Sequence, residues 1–79
     1  MSIDWKSRIT VNPEVLAGKP TIRGLRISVE HVLTALAGGV PEAELLSDYP
    51  DLQAEDIRAC QAYAAEIIAS ERVYPVRVA

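Results

Sequence analysis

Few side chains in this sequence could do covalent or acid-base chemistry. There is one histidine, His31, and one cysteine, Cys60. A nucleophile needs a base within hydrogen-bond reach, and a metal needs several ligands at helix or loop spacing; neither pattern surrounds these two residues. His31 falls beside the apolar positions of one amphipathic segment and Cys60 on the apolar side of another. Both read as structural, since a buried thiol behaves as a small hydrophobe. The acids Asp48, Asp51, Glu55 and Asp56 crowd one turn, but they lack the glycine and the alternating ligands of a calcium loop. Gly18-Lys19-Pro20 shares only its Gly-Lys pair with the phosphate-binding pattern GxxxxGK[ST]. The reading is therefore no catalytic residue, no metal site and no cofactor.

What remains is recognition chemistry. Lys19, Arg23 and Arg26 sit on one glycine-containing segment, where three cations and backbone amides freed near Gly18 and Gly24 could meet phosphates or an acidic protein surface. The same side chains could instead bond carbonyls and acids of their own domain, and the residues leave both readings open. Arg58 and Gln61, three apart, are the residue types able to reach base edges from a helix lying in a major groove.

The elements that must position these residues follow from periodicity. Arg8-Ile9-Thr10-Val11 has the β-branched content of a short strand ended by Asn12-Pro13. The segment from Ala17 to Ile27 is too rich in Gly and Pro for a helix and reads as an ordered loop or small hairpin pivoting at Gly24, pinned by Ile22 and Ile27. Ser28 is a good N-cap for a first helix with Val29, Val32, Leu33 and Leu36 on one stripe, stopped at Gly38-Gly39. Pro41 suits the first position of a second helix, with Leu45, Leu46 and Tyr49 as its apolar side, and Pro50 ends it. A third helix should run from Gln53 or Ala54 to about Ser70, with Glu55 and Asp56 complementing the dipole of its first turn. Its wide apolar face holds Ile57, Cys60, Tyr63, Ala64, Ile67 and Ile68, and its other face is rich in alanine. Val73 to Val78 alternates like an edge strand. The fold class is mainly α: a three-helix, homeodomain-like or helix-turn-helix domain with short N- and C-terminal β segments.

A chain of 79 residues makes one domain, 1–79, with a modest core, and 5% aromatic content leaves that core to Ala, Val, Leu and Ile. A single cysteine forms no internal disulfide, nothing at the N-terminus resembles a signal peptide, and no apolar run reaches membrane-helix length, so the expected address is the cytoplasm, away from membranes. A net charge of -3 argues against a generic nucleic-acid binder. The distribution is more informative. Lys6, Arg8, Lys19, Arg23 and Arg26 against Glu14 alone make the N-terminal third +4, whereas Glu30, Glu42, Glu44, Asp48, Asp51, Glu55 and Asp56 make the following stretch -7. Such asymmetry implies two surfaces with different partners or self-association, unless these are simply solvated faces. Glu55, Asp56 and Glu66 would oppose phosphates if the third helix entered DNA, so DNA binding is expected chiefly from a dimer or a partner-bound assembly using the basic loop. The two apolar sides of the third helix point to a homodimer.

Two segments, Gly18-Lys19-Pro20-Thr21-Ile22-Arg23-Gly24-Leu25-Arg26-Ile27-Ser28-Val29 and Asp48-Tyr49-Pro50-Asp51-Leu52-Gln53-Ala54-Glu55-Asp56-Ile57-Arg58-Ala59, closely resemble the bacterial domain-of-unknown-function family 433, DUF433, also described as VapB-like antitoxins. The resemblance spans roughly Ile9 to Ile68. It implies a three-helix, homeodomain-like fold and, as a function, the antitoxin of a type II toxin-antitoxin pair that neutralises a PIN-like ribonuclease and binds its own operator. The sequence departs from the family pattern at Leu25, at Ser28 and at Gln53, where threonine, proline and threonine respectively are common. Gln53 is a poor cap, so the third helix is expected to fray at its start.

Under that reading the C-terminal arm, 72–79, is the toxin-binding element. Tyr74, Val76 and Val78 would project to one side of a strand added to a sheet edge of the toxin, and Arg77, with Arg72 in reserve, would occupy the carboxylate cluster of the nuclease. The arm could equally pair with Arg8 to Val11 of the same or a twin chain. Two rival functions remain: a stand-alone helix-turn-helix DNA-binding regulator, and a structural dimerisation module.

Overall fold

A computed structural model of the chain describes residues 4–70. The order of elements is β1 (Ile9–Val11), a 3-10 turn at Leu16–Gly18, β2 (Pro20–Ile22), α1 (Val29–Ala37), α2 (Glu42–Asp48) and α3 (Ala54–Ser70). The protein is thus a mainly α, three-helix domain with short β segments. The C-terminal strand expected beyond Arg72 lies outside the described residues.

β1 and β2 pair antiparallel with Ile9 opposite Ile22, Thr10 opposite Thr21 and Val11 opposite Pro20. Period-2 alternation sends Ile9 and Ile22 inward, where they are 5% and 0% exposed. The turn after β2 closes through the Leu25 amide donating to the Ile22 carbonyl, and Gly24 takes φ +62 there, a value that favours glycine. The expected hairpin pivoting at Gly24 is therefore present. Leu16 and Ala17 also have positive φ, 47 and 56 respectively, which is unusual backbone for side chains with a Cβ.

Ser28 caps α1 as expected, its hydroxyl accepting from the His31 amide at 2.9 Å. The other end closes as a Schellman motif: the Gly39 amide donates to Leu36 and the Val40 amide to Ala35, with Gly39 at φ +94. Pro41 stands one position earlier than expected, as the N-cap of α2, and α2 makes two turns before Tyr49. Val29 and Val32 of α1, Leu45 of α2, Leu52, and Ile57, Ala59 and Cys60 of α3 complete the core around Ile9 and Ile22. No helix among the described residues is long and apolar enough to cross a membrane.

The start of α3 departs from expectation. Gln53 has the wrong side chain for a cap, but the carboxylate of Asp56 reaches back three residues and accepts the Gln53 amide at 2.9 Å, the reciprocal half of a capping box. The first turn is held from inside the helix, so the expected cause of fraying is removed. Trp5 braces the same helix farther along, its ring edge-on to Tyr63 at 4.8 Å between centroids and its indole N–H donating to Glu66.

Candidate functional site

The two sequence segments singled out above meet at Asp56. In the antiparallel register the residues beyond Ile9 and Ile22 are Arg8 and Arg23, and the Arg23 amide donates to the Arg8 carbonyl at 2.8 Å. Both arginines therefore leave the same end of the hairpin, which packs on the start of α3. Arg8 Nη1 lies 2.8 Å from Asp56 Oδ1 and Arg23 Nη2 lies 3.0 Å from Oδ2. Arg8 also donates to Gln53 Oε1 and Arg23 to the Asp51 carbonyl. Asp56 is fully buried, and such a carboxylate persists only when its acceptors are filled; two guanidinium groups and one amide fill them. This node is a joint between sheet and helix.

The joint changes what the charges can do. Arg23 is committed to Asp56, and Lys19 Nζ pairs with Glu30 Oε1 at 2.9 Å on the surface. For these two the intradomain alternative of the sequence reading describes the structure. Asp56 does not face solvent as an acid of the α3 surface, whereas Glu30, Glu42, Glu44, Asp48, Asp51 and Glu55 are all exposed. Arg26 is different: it is exposed and has no ion-pair or side-chain hydrogen-bond partner among the described residues. It lines a cavity of about 250 Å³ with Leu16, Ile27, Ser28, His31 and Tyr49. His31 Nε2 and the Tyr49 hydroxyl are hydrogen-bonded at 2.9 Å across this cavity's wall, with their rings edge-on. His31, expected as a structural residue beside core positions, is exposed, and its side-chain partner is Tyr49, the C-cap of α2.

Residues 9–64 match the family described as "Protein of unknown function (DUF433)". The chain belongs to the DUF433 family. It is similar, at 38% identity over 56 residues, to "Uncharacterized protein y4eO" of Sinorhizobium fredii, a match covering 71% of this chain and 25% of that protein. The chain therefore spans about a quarter of that relative's length. The crystal structure of a DUF433 member protein from Anabaena variabilis superposes with a TM-score of 0.74 at 35% identity, covering 80% of this chain and 62% of that one.

Two further surfaces of this DUF433 domain bear on recognition. Between α1 and α3 runs an apolar groove of about 350 Å³, walled by Leu33 on one side and Tyr63, Ala64, Ile67 and Ile68 on the other, with Glu30 at its edge. Ile68 is 61% exposed, a large apolar side chain left in water at the groove's end. Arg58 and Gln61 are both exposed on α3 and stand about one turn apart. Cys60, by contrast, is fully buried, and burial, helped by the nearby Asp56 carboxylate, pushes its thiol from an ordinary 9.0 to about 11. It is no nucleophile at neutral pH. Arg72, Tyr74, Val76, Arg77 and Val78 lie outside the described residues.

Proposed function

We propose that this DUF433 domain is the antitoxin of a type II toxin-antitoxin pair, a binding protein that holds a PIN-like ribonuclease toxin against the groove between α1 and α3. The observation that carries the reading is the groove itself: Leu33, Tyr63, Ala64, Ile67 and the exposed Ile68 form an apolar trough of the size that takes one face of a partner helix. The exposed carboxylates from Glu30 to Glu55 support the same reading. A ribonuclease must present cations to RNA, and a surface with this acidic run complements such a protein while opposing nucleic acid.

The test is co-expression with the product of the neighbouring gene, followed by affinity capture through a tag on the domain and an in vitro RNA-cleavage assay. Stoichiometric capture and loss of cleavage are expected. Cleavage that continues undiminished beside a molar excess of folded domain would defeat the reading. Removing residues 72–79 distinguishes the groove from the C-terminal arm carrying Arg72, Tyr74, Val76, Arg77 and Val78: the truncated chain should still be captured, with inhibition weakened if Arg77 reaches the nuclease carboxylates. Operator binding belongs to the complex, with Arg58 and Gln61 of α3 facing the bases, because the free domain opposes phosphates with Glu55 and Glu66.

A further inference from the structure

The cavity shared by Arg26, His31 and Tyr49 is chemically unlike the rest of this acidic domain. It is lined by one guanidinium, one imidazole, two hydroxyl groups and two aliphatic side chains, and by no carboxylate, in a chain whose net charge is -3. The other two cations of the same loop are paired with acids, Lys19 with Glu30 and Arg23 with Asp56, so the loop's charges are neutralised except at this cavity. We infer that the cavity is a phosphate-binding site, in which Arg26 supplies the charge and the His31–Tyr49 pair and Ser28 supply directed hydrogen bonds.

The donor geometry supports this. The Ser28 oxygen is occupied as acceptor of the His31 amide, which leaves its own hydroxyl hydrogen to donate. When His31 Nε2–H donates to the Tyr49 oxygen, the tyrosine hydroxyl hydrogen is likewise free for an acceptor in the cavity. Arg26 adds the planar fork of N–H groups that suits phosphate oxygens. A volume of about 250 Å³ is below the range of pockets that enclose a drug-sized ligand. It fits a single phosphoryl group with its attached carbon or ribose, and a nucleobase would remain outside. Two sources have this chemistry: a free phosphate or mononucleotide, and one phosphodiester of a nucleic-acid backbone. The site is independent of the toxin-binding reading, since no residue of the cavity lines the groove.

His31 is the single histidine, so its imidazole resonances report on this cavity alone. The full-length protein would be titrated at constant ionic strength with inorganic phosphate, with adenosine monophosphate and with a 16-base-pair duplex, using chloride as control. Saturable shifts of the His31 signals are expected with at least one phosphate source, weakened about tenfold or more by Arg26→Gln and by Tyr49→Phe, and unchanged by Lys6→Gln, an exposed cation outside the cavity. Saturation by phosphate or the nucleotide, without the duplex, assigns a free ligand; saturation by the duplex at lower concentration assigns a backbone phosphodiester. Shifts equal to those in chloride, or shifts retained in folded Arg26→Gln protein, would overturn the inference.

Discussion

Arg23 Nη2 stands 3.0 Å from Asp56 Oδ2, and that contact ties the glycine-containing loop that carries Lys19, Arg23 and Arg26 to the buried first turn of α3. With Arg8 on the other oxygen, the carboxylate is the point at which sheet and helix are joined. Removing one member of such a buried cluster leaves the others with unsatisfied charge, typically a loss of about 3–5 kcal/mol. The arginine side chains here are 27% and 37% exposed, so water would recover part of that. Asp56→Ala is therefore expected to destabilise by about 2–4 kcal/mol, a Tm lower by roughly 10 °C or more for a domain of this size. Arg23→Ala should lose less, because Arg8 stays on the carboxylate. Thermal melts by circular dichroism decide it, and an Asp56→Ala protein melting within about 2 °C of the parent would show that the cluster is not a joint.

Ser28 opens α1, and the structure shows what the serine does there: its hydroxyl accepts from the His31 amide and caps the helix. Ser28→Ala should destabilise by about 1 kcal/mol, and Ser28→Asp should restore most of that through the same acceptor geometry and the dipole. Urea unfolding at constant m-value measures both. Equal stability of the alanine and aspartate variants would contradict a capping role.

Much of this fold was legible because it depends on local pattern. The stripe of Val29, Val32, Leu33 and Leu36, the Gly38-Gly39 stop and the span of α3 all follow from spacing of 3.6 residues and from end signals, and each appears where expected. The pair Ile22 and Ile27 marked the hairpin. Asp56 was not legible in the same way. Its charge marks it as a complement to the helix dipole and an acid that would oppose phosphates, whereas its role depends on Arg8 and Arg23 arriving from a hairpin more than thirty residues earlier in the chain. A local signal did exist: an acid three residues after a weak cap is the returning half of a capping box. The cavity at Arg26 was half legible, since the cation was singled out but its partners His31 and Tyr49 come from two other elements.

Cys60 gives a pH dependence whose sign follows from burial. Its thiol titrates at about 11 in the folded protein against 9.0 ordinarily, so the unfolded chain loses this proton first as pH rises. The thiol's contribution is fully present below about pH 9 and is lost between pH 9 and 11. Cys60→Ala should flatten the alkaline limb of a Tm-against-pH profile relative to the parent, while creating a small cavity that lowers Tm at neutral pH. Consistent with this, the native thiol should resist iodoacetamide at pH 8 and react on unfolding. Rapid alkylation of the native protein at that pH would show that the site opens to solvent.

The groove between α1 and α3 is best tested at Ile68, because 61% of that residue is already in water and the fold owes it little. Ile68→Asp should change stability by no more than about 0.5 kcal/mol. In a bound partner the same position would be covered, and a carboxylate forced into an apolar contact without a counter-ion should weaken binding by at least tenfold, the effect expected at an interface hot spot. Arg58→Ala, on the exposed α3 surface outside the groove lining, serves as the control and should leave partner affinity unchanged. Isothermal titration against the proposed toxin partner, with light scattering of the free domain, distinguishes the occupants. Loss of toxin binding in Ile68→Asp with a normal melt assigns the groove to the toxin. If the variant instead falls from two copies to one while binding the proposed partner as the parent does, the groove is the seat of a second copy, and that partner engages another surface.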